Sequence, residues 1–326
     1  MRDERTNATA AQMAAALADC GSFAICGHVN PDGDCLGSAL ALAHALRALG
    51  KQADVLLVED VPVEPGLRFL PGFEKAVPAC RYEGTPDAFV YVDVSVRKRI
   101  GAAADIADAA AHRFAIDHHA GTEEVAELNL IDPDAAACAL LVWDVVRELG
   151  VDPTSDIALC AYTGLMTDTG RFQYQNTDER AFATAAQMVA AGAAPAFAAR
   201  EFFQSRTMAS LQLEQRMVAR MEQIAQGDIA FSYVTLEDFA ECGAVNSDAE
   251  ALIDTLRSVR GVRAACLLKE RDGFVRGSLR AKDDDTDVAA MARVLGGGGH
   301  RAAAGFTLET GLDEAISQVK RLLSEL

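Results

Sequence analysis

The stretch His28-Val-Asn-Pro-Asp32-Gly-Asp34 places one imidazole and two carboxylates in a single short loop. Pro31 and Gly33 force that loop to turn tightly, so His28, Asp32 and Asp34 can converge on one point. Two carboxylates and an imidazole packed together repel or desolvate one another unless a cation sits between them. An isolated Pro-Asp-Gly-Asp turn also fits a helix start, where the aspartates cap the first backbone N–H groups. The same residue types recur further on. Asp93 closes the apolar run that begins at Ala88, Asp117-His118-His119 follows the run that begins at Arg113, and Asp168 ends a helical stretch before Thr169-Gly170. Any one of these reads equally well as a polar residue leaving a buried strand. Their joint recurrence, with three of the six histidines at such ends, favours a cation site.

A further signal lies near the C-terminus, where Gly296 to Gly299 precede His300-Arg301 and Arg280 lies upstream. Four consecutive glycines are costly in backbone entropy, and they fit a place where backbone N–H groups approach an anion closely. A flexible loop is the other reading of glycines alone. The neighbouring His300, Arg301 and Arg280 point to a phosphate or nucleotide contact.

The elements that must carry these residues alternate. Short apolar runs at residues 23–27, 54–58, 88–92 and 113–116 read as strands, and residues 35–49 between the first two as a helix. Strands alternating with helices imply an α/β unit whose parallel sheet has helices on both faces. Helices then dominate, over residues 135–149, 155–165, 179–191 and 194–203. A long helix over 208–226 reads as a connector. Beyond it, strands at 229–234, 263–269 and 274–279 and helices at 249–258, 288–295 and from Leu312 imply a smaller α+β unit. At 326 residues the chain exceeds one comfortable core, so two domains are expected. They would be residues 1–200 and 227–326, with a helical linker over about 200–226.

Composition narrows the function. The net charge is −18, and residues 1–205 hold 15 Lys and Arg against 29 Asp and Glu, a net of −14. A protein that grips long nucleic acid presents a basic surface, so a long polymer is excluded as ligand. No secretory signal opens the sequence, and the most apolar helical stretch, residues 36–49, is interrupted by Ser38, His44 and Arg47 and too short to span a bilayer. A cytoplasmic protein without membrane attachment is the expectation. The eight cysteines show no Cys-x-x-Cys pair and read as reduced thiols; Cys26, Cys35, Cys138, Cys160 and Cys266 read as packing residues.

Taken in order, His28-x-x-Pro-Asp32-x-Asp34, Asp93, Asp117-His118-His119, Asp168 and Gly296-Gly-Gly-Gly-His300 resemble the pattern of the DHH/DHHA1 phosphoesterase superfamily over nearly the whole chain. Length and motif order are most similar to its NrnA-like branch of oligoribonucleases that also dephosphorylate pAp. One departure is Ala281, where a Ser usually follows the arginine. The resemblance implies two metals, one held by His28, Asp32 and Asp93 and the other by Asp34, Asp93, His118 and Asp168, with Asp93 bridging. It implies that Asp117 orients the site and that His119 faces the scissile phosphate. Arg280, Gly297, Gly298, Gly299 and His300 would hold the remote part of the substrate. An oxygen- and imidazole-rich site suits Mn²⁺, with Mg²⁺ or Co²⁺ as substitutes. The implied activity is hydrolysis of short oligoribonucleotides to 5′-mononucleotides and of pAp to AMP, with pGpG or cyclic dinucleotides as alternative main substrates. The glycine–histidine loop argues against a pyrophosphatase, and the lack of basic surface argues against a long-strand exonuclease. A homodimer is compatible with the chain, but no sequence feature argues for one.

Overall fold

The computed structural model describes residues 7–121, 126–283, 285–299 and 301–324. The chain divides into two compact units, one ending at Ser205 and the other beginning at Arg206.

The first unit runs α1 (Ala10–Ala18), β1 (Ser22–Cys26), α2 (Gly33–Ala48), β2 (Gln52–Leu57), β3 (Val77–Pro78), β4 (Ala88–Val92), α3 (Ala104–Ala109), β5 (His112–Asp117), β6 (Leu128–Ile131), α4 (Cys138–Glu148), α5 (Ser155–Asp168), α6 (Glu179–Ala190) and α7 (Pro195–Phe203). All six strands pair in parallel, in the order β3-β2-β1-β4-β5-β6. β4 is apolar at every position, and β1 at every position after Ser22, because both faces are covered. Phe23 and Ile25 of β1 and Val90 and Val92 of β4 enter the larger core with α1, α2, α4 and α5. The alternating residues Ala24, Cys26, Phe89 and Tyr91 enter a second core against Ile100, Ala103 and Ala107. Helices therefore lie on both faces, as the alternation of runs predicts. All eight cysteines are free thiols. Among the described residues no single helix is long and apolar enough to cross a membrane.

The second unit runs α8 (Met208–Ala219), β7 (Glu222–Ile224), β8 (Ile229–Val234), α9 (Leu236–Cys242), α10 (Leu252–Arg257), β9 (Ala264–Arg271), β10 (Phe274–Ala281), α11 (Val288–Val294), β11 (Gly298–Gly299), β12 (Ala303–Leu308) and α12 (Leu312–Ser324). Its mixed sheet is ordered β11-β12-β10-β9-β8-β7, with β8 and β9 parallel and the other pairs antiparallel. The segment 208–226, expected to be one connecting helix, is different. Its helix stops at Ala219 and Glu222–Ile224 pairs with β8. Leu213 and Met217 of α8 sit in the core of the second unit, which is why that helix belongs there.

Candidate metal centre

The strand order β2-β1-β4-β5 reverses direction of growth between β1 and β4, and in open parallel sheets ligands bind outside the carboxyl ends at that point. His28 lies two residues past β1, Asp93 directly follows β4, and Asp117 ends β5. Asp32 is the N-cap of α2: its Oδ1 accepts from the N–H groups of Asp34 at 3.1 Å and Cys35 at 3.0 Å. Its Oδ2 lies 3.7 Å from His28 Nε2. Both readings of the turn therefore hold together, one oxygen capping the helix and the other facing the cluster.

Asp34, in the first turn of α2, is buried. Its Oδ2 accepts from Cys138 N–H at 2.6 Å, and its Oδ1 from Ala139 N–H at 2.9 Å and the Ser38 hydroxyl at 3.1 Å. The N-cap residue of α4, Ala137, has no side chain to satisfy those N–H groups, so Asp34 caps α4 from another helix. Asp168 arrives as the last residue of α5 because α2 and α5 approach closely. A Cβ on Gly33 would stand 2.3 Å from Thr167 Oγ1, and one on Gly164 would stand 2.9 Å from Asp34 Oδ1.

The two imidazoles are oriented from behind. His28 Nδ1 lies 2.9 Å from the Val29 carbonyl and His118 Nδ1 lies 3.2 Å from the Ala135 carbonyl. A carbonyl only accepts, so each Nδ1 carries the proton and each neutral ring presents its Nε2 lone pair forward. His28 Nε2 faces Asp93 Oδ2 at 3.3 Å. His118 Nε2 faces Asp93 Oδ1 at 3.5 Å, Asp168 Oδ2 at 3.6 Å and Asp34 Oδ2 at 3.7 Å. Lone pairs aimed at carboxylate oxygens, at separations longer than a hydrogen bond, are the arrangement of ligands around a cation. Asp93 Oδ1 is buried and has no hydrogen-bond partner among the described residues, which a buried carboxylate oxygen tolerates only with a cation or a proton at hand. The donor set of carboxylates and imidazoles therefore fits divalent metal ions.

The protonation equilibria express the same crowding. Burial works to lower the His28 imidazolium, but Asp32 and Asp93 outweigh it and push it up to about 10. Burial likewise opposes the His118 imidazolium, yet Asp93, Asp168 and Asp34 push it up to about 11. Burial, then the charge of Asp93, pushes Asp34 up to about 7. Without cations this cluster gathers protons, so metal uptake releases them.

Asp117 Oδ1 accepts from His118 N–H at 2.9 Å and lies 2.7 Å from His119 Nδ1, so it orients the His119 ring. The structure thus brings His28, Asp32, Asp34, Asp93, Asp117, His118, His119 and Asp168 together. Cys35, read from sequence as packing, also reaches the cluster, within ligand distance of His28 and Asp93. Its sulfur accepts from His28 N–H at 3.2 Å and burial pushes the thiol well up, which keeps it protonated. Sequence reasoning missed Asn176, whose Nδ2 donates to the carbonyls of Ala136 at 2.9 Å and Asp168 at 3.1 Å. It also missed a strained backbone: Asn30 and Asp93 have φ of 53° and 58°, and after Asp168 the residues Gly170, Arg171 and Phe172 have φ of 55°, 65° and 61°. Left-handed non-glycine residues of this kind collect at functional sites. The Asn-Pro and Thr-Gly pairs flanking the aspartates were the only hints of it.

In the second unit Arg280 lies on β10, with Nη1 donating to the Leu279 carbonyl at 3.0 Å. Gly298 and Gly299 form β11 against Gly305 and Ala304. Gly297 lies so close to β12 that a Cβ there would stand 2.1 Å from the Gly305 carbonyl oxygen. His300 lies outside the described residues.

Two family models match the chain: the DHH family, N-terminal domain, over residues 22–165, and the DHHA1 domain over residues 227–325. A bifunctional oligoribonuclease and PAP phosphatase NrnA of Thermus thermophilus is 31% identical over 94% of this chain and 90% of its own. This chain is a DHH/DHHA1 phosphoesterase. The NrnA protein of Bacillus subtilis, of the same description, is 26% identical over 92% of this chain and 91% of its own. The fold is shared with the crystal structure of an exopolyphosphatase-related protein from Bacteroides fragilis, with a TM-score of 0.89 and 24% identity over 97% of this chain and 95% of that one. As a member of this family the chain is a hydrolase, and its family's dependence on metal agrees with the donor cluster described above.

Proposed function

We propose that this phosphoesterase is a Mn²⁺-dependent two-metal enzyme that hydrolyses short oligoribonucleotides to 5′-mononucleotides and pAp to AMP, in the cytoplasm. The observation that carries the reading is Asp93. One of its oxygens faces His28 and the other faces His118 and His119, at 3.3, 3.5 and 3.5 Å. A buried carboxylate between two donor sets is suited to serve both. His28, Asp32 and Asp93 would hold one cation, and Asp34, Asp93, His118 and Asp168 the other. When bound, such cations supply Lewis-acid chemistry, lowering the pKa of water and neutralising charge on the phosphate.

The chain's own groups divide the remaining work. The carbonyls of Val29 and Ala135 hold the Nδ1 protons of the two ligand rings, so each neutral ring presents Nε2 to a cation. Asp117 holds His119 through Nδ1, which leaves Nε2 as the ring atom able to present a proton to a phosphate oxygen or to the departing oxygen. The buried surroundings of Asp93 and Asp117 strengthen these contacts. Arg280 and Gly297 to Gly299, with His300, would bind the part of the nucleotide away from the scissile bond. Two features support short substrates: the oligoribonuclease and PAP phosphatase activities for which the Thermus and Bacillus relatives are named, and a charge of −18 that disfavours a long polyanion.

The test is a substrate panel of pAp, pGpG, cyclic dinucleotides and RNA from dinucleotide to 24-mer, with chelator and then with Mn²⁺ restored. Mn²⁺-dependent turnover that is fastest on dinucleotides and pAp is expected. Equal rates on a 24-mer would overturn the short-substrate reading, and turnover confined to pGpG or cyclic dinucleotides would replace it with the alternative.

A further inference from the structure

On the sheet of the second unit, β10 sends Val275, Leu279 and Ala281 into the core and turns Arg276, Ser278 and Arg280 to the opposite face. The register continues that face onto its neighbours, pairing Arg276 with Lys269 of β9 and Thr307 of β12. Lys269 is 1% exposed, and a buried ammonium needs a partner. Its partner is Glu250, with Nζ donating to Oε1 at 2.9 Å. Glu250 is also the carboxylate that feels Arg276 and Arg280. Burial works against its ionisation, but Lys269 first, and then the two arginines, hold it below the usual range. Three cations thus share one carboxylate, and the buried lysine has taken it.

The consequence falls on Arg276. Among the described residues its side chain has no hydrogen-bond or ion-pair partner, in a chain whose acidic groups outnumber its basic ones by 18. It lines a cavity of about 450 Å³ together with Gly296, Gly297, Gly298, Gly305, Phe306 and Thr307. Phe306 packs in the core of the unit. The rest of the wall is backbone from four glycines, a threonine and one guanidinium, a composition that suits a compact, highly charged oxyanion. Arg276 and Arg280 stand four residues apart on one strand face, roughly 13 Å at about 3.3 Å per residue, and of the two it is Arg276 that lines this cavity.

We propose that the cavity at Arg276 is a separate subsite for a terminal phosphate monoester, and that it makes the enzyme prefer nucleotides carrying a 5′-phosphate over the same nucleotides ending in a 5′-hydroxyl. The inference rests on the phosphoesterase substrate reading above and adds the end group that the substrate carries. A dianionic monoester gains more from an unpaired guanidinium than a hydroxyl does, by about 10-fold or more in binding for one charge-assisted contact. Lys269 takes the hydrogen bond of Glu250, which leaves Arg276 without an ion pair among the described residues.

The test uses the Mn²⁺-loaded full chain and two dinucleotides whose bridging phosphate is replaced by a methylenephosphonate, one with a 5′-phosphate and one with a 5′-hydroxyl. Binding of each is measured for the natural protein, Arg276→Ala, Arg276→Lys and Gly298→Val. A Cβ on Gly298 would meet no atom within 4 Å, and its φ is not left-handed, so Val there fills the cavity without backbone strain. The natural protein is expected to prefer the 5′-phosphate about 10-fold or more. Arg276→Ala and Gly298→Val should each erase that ratio, and Arg276→Lys should keep part of it. Inorganic phosphate should compete more strongly with the 5′-phosphorylated ligand than with the 5′-hydroxyl one. Equal binding of the two ligands by the natural protein, or a ratio that survives Arg276→Ala, would overturn the subsite. Inorganic phosphate that binds the natural protein while the two ligands bind alike would overturn it as well. Binding is read apart from turnover, so a chain that shows the ratio yet hydrolyses nothing would sink the proposed activity and leave the subsite standing.

Discussion

Two buried aspartates, one in each unit, are handled in opposite ways. Asp238 in the second unit is 1% exposed, and its neighbours saturate it: Arg220 donates to Oδ2 at 2.5 Å and to Oδ1 at 2.9 Å, and Thr235 N–H donates to Oδ2 at 2.8 Å. Asp93 in the first unit is 2% exposed and, among the described residues, its Oδ1 has no hydrogen-bond partner, with Asp34 and Asp168 in the same cluster. A carboxylate that is buried and satisfied is a structural fastening. One that is buried and unsatisfied within a convergent cluster is held for something the chain itself does not supply. The contrast separates fold from function without reference to any relative.

The sharpest way to break that contrast is Asp93→Asn. If Asp93 serves two cations, the variant should lose at least about 10³-fold in kcat/KM, roughly 4 kcal/mol, while remaining folded. Asp34→Asn should behave differently, because its oxygens accept N–H groups of Cys138 and Ala139 and an amide cannot accept with both ends. It should lose about 2–3 kcal/mol of stability as well as activity, measured by urea titration. Full turnover by the Asp93 variant, or a stability loss equal to that of Asp34→Asn, would erase the distinction.

A smaller effect reports on the cations through stability. Trp143 is the only tryptophan and sits on α4 in the first unit, so its fluorescence follows that unit alone. Mn²⁺ at a hundredfold excess over its Kd should raise that unit's stability by about 2.7 kcal/mol, and chelation should reverse the gain. An unfolding midpoint at Trp143 that ignores Mn²⁺ would refute the donor cluster as a metal centre.

The smallest effect concerns Asp238. Burial works against its ionisation, but Arg220 outweighs it and holds the carboxyl below its ordinary range. A depressed folded pKa gives stability that is present above the unfolded value of about 3.9 and is lost as pH falls through the folded value. Asp238→Asn should therefore cost about 1–3 kcal/mol at neutral pH, with the difference from the natural protein shrinking below about pH 4. Circular dichroism of urea unfolding at several pH values measures it. A difference that persists undiminished in acid would show that shape, not charge, holds this corner.

Much of the site was legible because strands covered on both faces must be apolar throughout. Ala88–Val92 is such a run, so the carboxylate of Asp93 stands out where it ends. The same rule hid β6, where Leu128–Ile131 is short and carries a buried Asn129. It hid β12 too, since Ala303–Leu308 follows a glycine run and contains Gly305, which reads as more loop. The helix expected to reach Gln226 stops at Ala219, because pairing with β8 offers Glu222–Ile224 backbone partners that outweigh local helix preference. The capping of α4 by Asp34 joins residues far apart in sequence, and no local pattern announces such a pair.

The left-handed backbone of Asp93, with φ of 58°, also bears on how a copy of this chain would age. An L-residue in that conformation costs about 1–2 kcal/mol, which glycine avoids and asparagine tolerates best. A duplicate released from its chemistry would therefore gain stability by exchanging Asp93 for Gly or Asn, and would drift there before its core changed at all. In such a lineage the first scar of lost activity is a protein that melts later than its ancestor.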